Sequence, residues 1–96
     1  MFDKMKQLME LKKQADALKK ELDALVLDVQ EIRGIKITIN GSQDIKNLEI
    51  DMNMINPDNK KRLESDLVRG LNAAIKKSQQ QAAMKMKDKM PGFPGM

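Results

Sequence analysis

The sequence predicts an α+β chain of order α-β-β-β-α, with a three-stranded antiparallel sheet between two helices. Three observations carry this fold class. Leu8, Leu11, Ala15, Leu18, Leu22 and Leu25 recur at spacings of 3 and 4, which marks one face of a helix. Three short runs then alternate apolar and polar residues, the signature of half-buried strands. From Leu63 to Met86 the apolar residues return at a 3.6-residue period, which marks a second helix. A chain of 96 residues is the length of one domain. Residues 1–90 are expected to form it, and residues 91–96, a Met/Pro/Gly tail, to be disordered.

The first helix is expected over residues 3–25, with Asp3 complementing the positive end of its dipole. Its heptad seam is too short for a free-standing coiled coil, so it should pack on a sheet or on a second copy of itself. Asp16 is spaced to reach Lys19 and Lys20, and Glu10 to reach Lys13. That reads as a solvated, self-paired face.

In the first strand Leu25, Leu27 and Val29 alternate with Asp28 and Gln30. After the Arg33-Gly34 turn, Ile35, Ile37 and Ile39 alternate with Lys36 and Thr38. Beyond Asn40-Gly41, Leu48, Ile50 and Met52 alternate with Asn47, Glu49 and Asp51. Each strand has one apolar face, as in an antiparallel sheet covered on one side. Such a meander leaves two edges to be covered or paired.

Asn56-Pro57-Asp58 announces the second helix, with a capping Asn, a Pro suited to the first turn and an acid for the dipole. Leu63, Leu67, Val68, Leu71, Ile75, Ala82 and Met86 form its apolar side. Gly70 interrupts a strong helix-forming run, which implies close approach of another backbone, since Gly costs about 1 kcal/mol relative to Ala there.

Composition removes several functions. The chain has no His, Cys, Trp or Tyr and two Phe. Cysteine nucleophiles, histidine bases, Cys/His zinc sites, disulfides and the aromatic platforms on which bases stack are thereby excluded. The remaining Lys, Asp, Glu, Ser and Thr show no spacing that resembles a nucleophile and base pair, so no enzyme, cofactor or small-molecule substrate is expected. No apolar run is long enough to span a bilayer, and the charged N-terminus lacks a signal-peptide core. Scarce aromatics also argue against membrane-surface binding. The expectation is a soluble cytoplasmic protein.

Charge is unevenly spread. Residues 1–25 carry six Lys against five acids, residues 26–59 three basic groups against six acids, and residues 60–96 nine basic groups against three acids. Such an asymmetry points to a polyanionic partner. On a helical projection Arg62, Arg69, Lys76 and Lys87 fall in one stripe opposite the apolar side. No acid occurs between Leu67 and Lys87, and Lys76 and Lys77 have no carboxylate three or four residues away. A solubilising surface would mix both signs; an uncompensated stripe suits phosphate contact. Arg69, Lys76, Lys77 and Lys87 are therefore the candidate phosphate-contacting residues.

The run GIKITINGSQDIKNLEID, followed by ESDLVRGLNAAIKK and a Met-Pro-Gly tail, resembles the YbaB/EbfC family of bacterial nucleoid-associated proteins. The matching positions are Asn40-Gly41, Ile50-Asp51, Asp66-Leu67-Val68, Gly70 and Asn72-Ala73. The chain departs in having only Arg33-Gly34 where the family usually has a Gly-rich spacer, and Met52 where Pro commonly follows Ile-Asp. The resemblance implies an intertwined homodimer with helices projecting as arms, duplex DNA as partner, and a place in the nucleoid. On that expectation the hairpin is the dimerisation core, because pairing across a two-fold covers what one chain leaves open. The alternative is a prefoldin-like, chaperone-type protein-binding module, which also sets hairpins between two helices.

Overall fold

The computed structural model describes residues 2–89. Helix α1 spans Phe2–Ala24, strands β1, β2 and β3 span Val26–Val29, Ile35–Asn40 and Ile45–Ile50, and helix α2 spans Lys60–Lys89. Two 3-10 turns, Met52–Met54 and Pro57–Asn59, join β3 to α2. The α-β-β-β-α order is therefore the one the periodicities predict.

The strands form one antiparallel sheet in the order β1-β2-β3. Val29 opposes Ile37, Ile35 opposes Ile50, and Ile37 opposes Leu48, so the apolar residues of all three strands share a face. β-Branched Ile35, Ile37, Thr38 and Ile39 suit the central strand. The register slips between Thr38 and Ile39, where Asn47 and Ile45 are the successive partners. Lys46 is the extra residue of this bulge.

The core is Val29, Ile32, Ile35, Ile37, Ile39 and Ala74, with Leu63, Leu67, Leu71 and Ile75 of α2 packed against it. Each buried isoleucine side chain contributes on the order of 1.5–3 kcal/mol. Helix α2 lies over β2 and β1 far more than over β3. Ile45 and Leu48, on the same face, are consequently 43% and 41% exposed.

Several local expectations are revised. Met52 is not the last apolar residue of β3 but lies in a 3-10 turn, 83% exposed. The cause is Asp51, whose carboxylate accepts from Asn53 N–H at 3.2 Å and caps that turn. Asn56 caps as expected, accepting from Asp58 N–H at 3.0 Å, but the turn it starts is a 3-10 turn that leads into α2. Gly70 faces side chains rather than a backbone. A Cβ there would lie 3.3 Å from Ile37 Cδ1 and 3.7 Å from Ile32 Cγ1. Val68, read as part of the apolar side, is exposed at the flank of α2.

The first helix packs less than its seam implies. Residues 3–17 are exposed, and Leu18 and Leu22 are half-buried. Leu8 and Leu11 remain 66% and 57% exposed. The seam meets neither the sheet nor α2 along its first half, and the molecule extends 67 × 22 × 17 Å. The tail assigned to residues 91–96 lies outside the described residues.

Candidate nucleic-acid interface

The position of α2 is set by a polar corner at its middle. Ser78 is fully buried and donates to the Asn40 carbonyl at 2.6 Å. Gln43 Nε2 donates to Ser78 Oγ at 3.3 Å and to the Gly41 carbonyl at 3.0 Å. Buried Asn40 accepts through its side chain from Ser42 and Asp44 N–H at 3.0 and 2.9 Å, and its amide donates to the Asp23 carbonyl at 3.3 Å. A buried polar group is costly unless satisfied in this way.

The same corner ends α1. Gly41 N–H donates to the carbonyls of Leu22 and Leu25 at 2.8 and 2.9 Å, satisfying acceptors that a helix terminus leaves open. A Cβ at Gly41 would sit 2.9 Å from the Leu22 carbonyl oxygen, so only glycine permits this approach. The Ser42 hydroxyl donates to the Asp23 carboxylate. That bond above all, with Lys19 and Lys46 adding less, holds the Asp23 carboxyl below its ordinary range against the opposing effect of burial.

With Ala74 and Ser78 turned inward, the opposite face of α2 presents its cations. Arg62, Arg69, Lys76, Lys77 and Lys87 are all exposed. From the helical rise, Arg69 and Lys76 are about 10 Å apart along the axis, and Lys76 and Lys87 about 16 Å. The structure thus spreads the candidate residues along a rod rather than gathering them in a pocket. Among the described residues no carboxylate lies in ion-pair range of Lys76, Lys77 or Lys87. Arg69 differs: Asp66 approaches it at 3.9 Å, with the Asp66 side chain 15% and the Arg69 side chain 68% exposed.

On α1 the expected pairs do not form. Among the described residues neither Glu10–Lys13 nor Asp16 with Lys19 or Lys20 comes within ion-pair distance, whereas Lys19 pairs with Asp23 at 3.4 Å. Spacing brings such groups near each other, but exposed pairs gain little and lose side-chain freedom.

The fold also brings in a cation that sequence spacing did not single out. Arg33, in the β1–β2 turn, lines one cleft of about 460 Å³ together with Arg62 and Arg69. The available signal was the Arg33-Gly34 pair, read only as a turn. Gly34 has φ +93°, and any side chain there would run into Met54, so the turn is seated against the segment that precedes α2.

Helix α2 thus exposes a face on which Lys76, Lys77 and Lys87 have no ion-pair partner among the described residues. A sequence profile of the YbaB/EbfC DNA-binding family matches residues 1–93, and the chain belongs to that family. A nucleoid-associated protein of Dictyoglomus thermophilum is 31% identical over 94 residues, covering 97% of this chain and 90% of the relative. Nucleoid-associated proteins of two Clostridium botulinum strains, Eklund 17B and Alaska E43, are 28% identical over 61 residues, 64% of this chain. That match spans about half, 54%, of the Clostridium proteins' length. A crystal structure of an uncharacterized protein from Helicobacter pylori superposes with a TM-score of 0.68 at 19% identity, covering 90% of this chain and 96% of that one, which establishes the shared fold. No helix among the described residues is long and apolar enough to cross a membrane.

Proposed function

We propose that the protein is a nucleoid-associated homodimer that binds duplex DNA largely through phosphate contacts, organising DNA or altering gene expression. The observation that carries this reading is the exposed face of α2, where Lys76, Lys77 and Lys87 have no ion-pair partner among the described residues. Lysines without carboxylates nearby gain most by displacing counterions from a phosphate backbone. Membership of a DNA-binding family and relatives named as nucleoid-associated proteins support the same partner. Contacts to phosphate carry no sequence information, so binding is largely sequence-tolerant, with shape preferences open.

The dimer is supported by what one chain leaves uncovered. Ile45 and Leu48 beside the β3 edge, Val68 on α2, and Leu8 and Leu11 on α1 are all exposed. A second copy would cover such surface by symmetry. The exposed Met5, Leu8, Met9 and Leu11 also favour a second reading, a prefoldin-like protein-binding module. One experiment separates the two. Anisotropy of a labelled duplex, titrated at two salt concentrations, should show tight binding at low salt and a steep loss at high salt. Absence of binding at low salt would transfer support to a protein partner. Sedimentation of the same sample tests the dimer, which a stable 10.9 kDa monomer at micromolar concentration would reject.

A further inference from the structure

We propose that the cleft between the β1–β2 turn and the start of α2 seats a backbone phosphate of the bound DNA, held by Arg33, Arg62 and Arg69. This rests on the DNA-binding reading above and moves its centre from the lysines to one end of the helix. The three arginines come from two parts of the chain, the β1–β2 turn and α2, and all three line a single cleft. Like charges gathered in one concavity repel unless an anion sits among them. The carboxylates of the cleft fill that role for one arginine only. Glu31 and Asp66 line it, yet the one ion pair formed is Asp66 with Arg69, at 3.9 Å. Arg33 and Arg62 have none among the described residues.

The chemistry of the groups selects the ligand. A guanidinium presents a planar fork of donors that matches two oxygens of a phosphate, which a lysine ammonium does not. The remaining lining includes Ile32, Met54 and Leu63, an apolar backing that keeps water away from one side and strengthens each charge-assisted bond. Arg33 is held there by a built turn. Gly34 accepts from Asp51 N–H at 2.7 Å, and Gly34 leaves no room for a side chain beside Met54. Arg62 and Arg69 continue into the Lys76 face of α2, so a strand seated in the cleft would run on along the helix.

The test titrates a labelled duplex with the full chain across a salt series, for wild type, Arg33→Gln, Arg62→Gln and Arg33→Lys. Each Gln variant should weaken binding about tenfold or more, the size of a lost charge-assisted hydrogen bond, and flatten the salt slope by about 0.9 per contact removed. Arg33→Lys should keep most of the slope but not the affinity. Melting curves check that the variants fold, and the two single substitutions on separate elements keep the test open if one does not. Wild-type affinity and slope in both Gln variants would overturn the cleft and leave the DNA reading standing. Failure of wild type to bind at all would overturn both. Inorganic pyrophosphate supplies the last arm. If it raises the melting temperature of wild type but not of the Gln variants, while their duplex affinity is unchanged, the seat takes a free polyphosphate and the strand assignment falls.

Discussion

Helices α1 and α2 are both rich in Leu and Lys, and both would be drawn as amphipathic on a helical wheel. They differ in what their apolar sides meet. Helix α2 lays Leu63, Leu67, Ala74 and Ile75 on the sheet and is pinned by buried Ser78. Helix α1 leaves Met5, Leu8, Met9 and Leu11 in solvent and is fastened at its C-terminal end, through Leu22, Asp23 and Leu25. The charges differ in the same sense. Acids stand within a turn of the α1 lysines, whereas α2 has none between Leu67 and Lys87. Periodicity therefore shows that a helix has an apolar face without showing that the chain's own core receives it.

The largest effect separates the two helices by one substitution. Ala74 is fully buried under α2, whereas Ala15 is exposed in the α1 seam. Ala74→Glu places an unpaired charge in the core and should cost at least about 3–5 kcal/mol, enough to unfold a domain of this size. Ala15→Glu should change stability by less than about 0.5 kcal/mol. Urea denaturation followed by circular dichroism measures both. A comparable loss in Ala15→Glu would mean that the α1 seam is covered in solution, as in a dimer.

A second pair contrasts the joints. Gly41→Ala drives a methyl group against the Leu22 carbonyl at 2.9 Å, a backbone atom that cannot step aside. The expected cost is about 1–3 kcal/mol, with α1 becoming the first segment cut by limited proteolysis. Gly70→Ala meets the tip of Ile37 at 3.3 Å, a side chain able to yield, and gains about 1 kcal/mol of helix propensity. It should be near neutral. Equal destabilisation would show that Ile37 has no freedom to move and that α2 is as tightly fitted as the corner.

The element order was legible because each element repeats a pattern: heptad leucines, alternating isoleucines and the capped α2. What was not legible depends on contacts between distant residues. The Asn40-Gly41 pair marks a turn in the sequence, but Gln43 has the left-handed backbone, φ 64°. Gly41 instead serves the end of α1. The bulge at Lys46 and the turn at Met52 arise from pairing and capping that no local period records. The same holds for the site. Exposed Lys76 and Lys77 could be read from missing acids nearby. Asp66 beside Arg69 lies just before the acid-free run from Leu67 to Lys87, and Arg33 joins Arg62 only because the β1–β2 turn folds against the start of α2.

Charge removal sharpens the comparison without touching stability. Lys76→Gln with Lys77→Gln keeps helix propensity, and in a dimer it would remove about four phosphate contacts. The salt slope should become shallower by about 3.6. The matched pair, Lys13→Gln with Lys20→Gln, should cost much less, because carboxylates stand within one turn of both. Those carboxylates do not form ion pairs with Lys13 or Lys20, so the comparison tests whether proximity through solvent is enough. Equal losses in the two double variants would show that it is not, and that α1 also lies on the DNA.

The smallest expected effect is in the acid dependence of the α1 joint. Asp23 receives the Ser42 hydroxyl, and its carboxyl is held below the ordinary value of 3.8, first by that bond and then by Lys19 and Lys46. The folded chain thus releases this proton more readily than the unfolded chain. A group shifted in this sense stabilises the fold fully above its unfolded value, and the contribution disappears as pH falls through the folded one. The window therefore lies below 3.8, and at neutral pH the bond is at full strength. The Asp23 side chain is 41% exposed, and solvent screening keeps the effect small. Asp23→Asn removes the titration and retains an acceptor for Ser42. Its melting temperature should be slightly lower than that of wild type at pH 7, and the difference should shrink as both are acidified toward pH 3. A gap that widens on acidification would mean that Asp23 is stabilised in its protonated form, and that the corner is held by Gly41 and Asn40 alone.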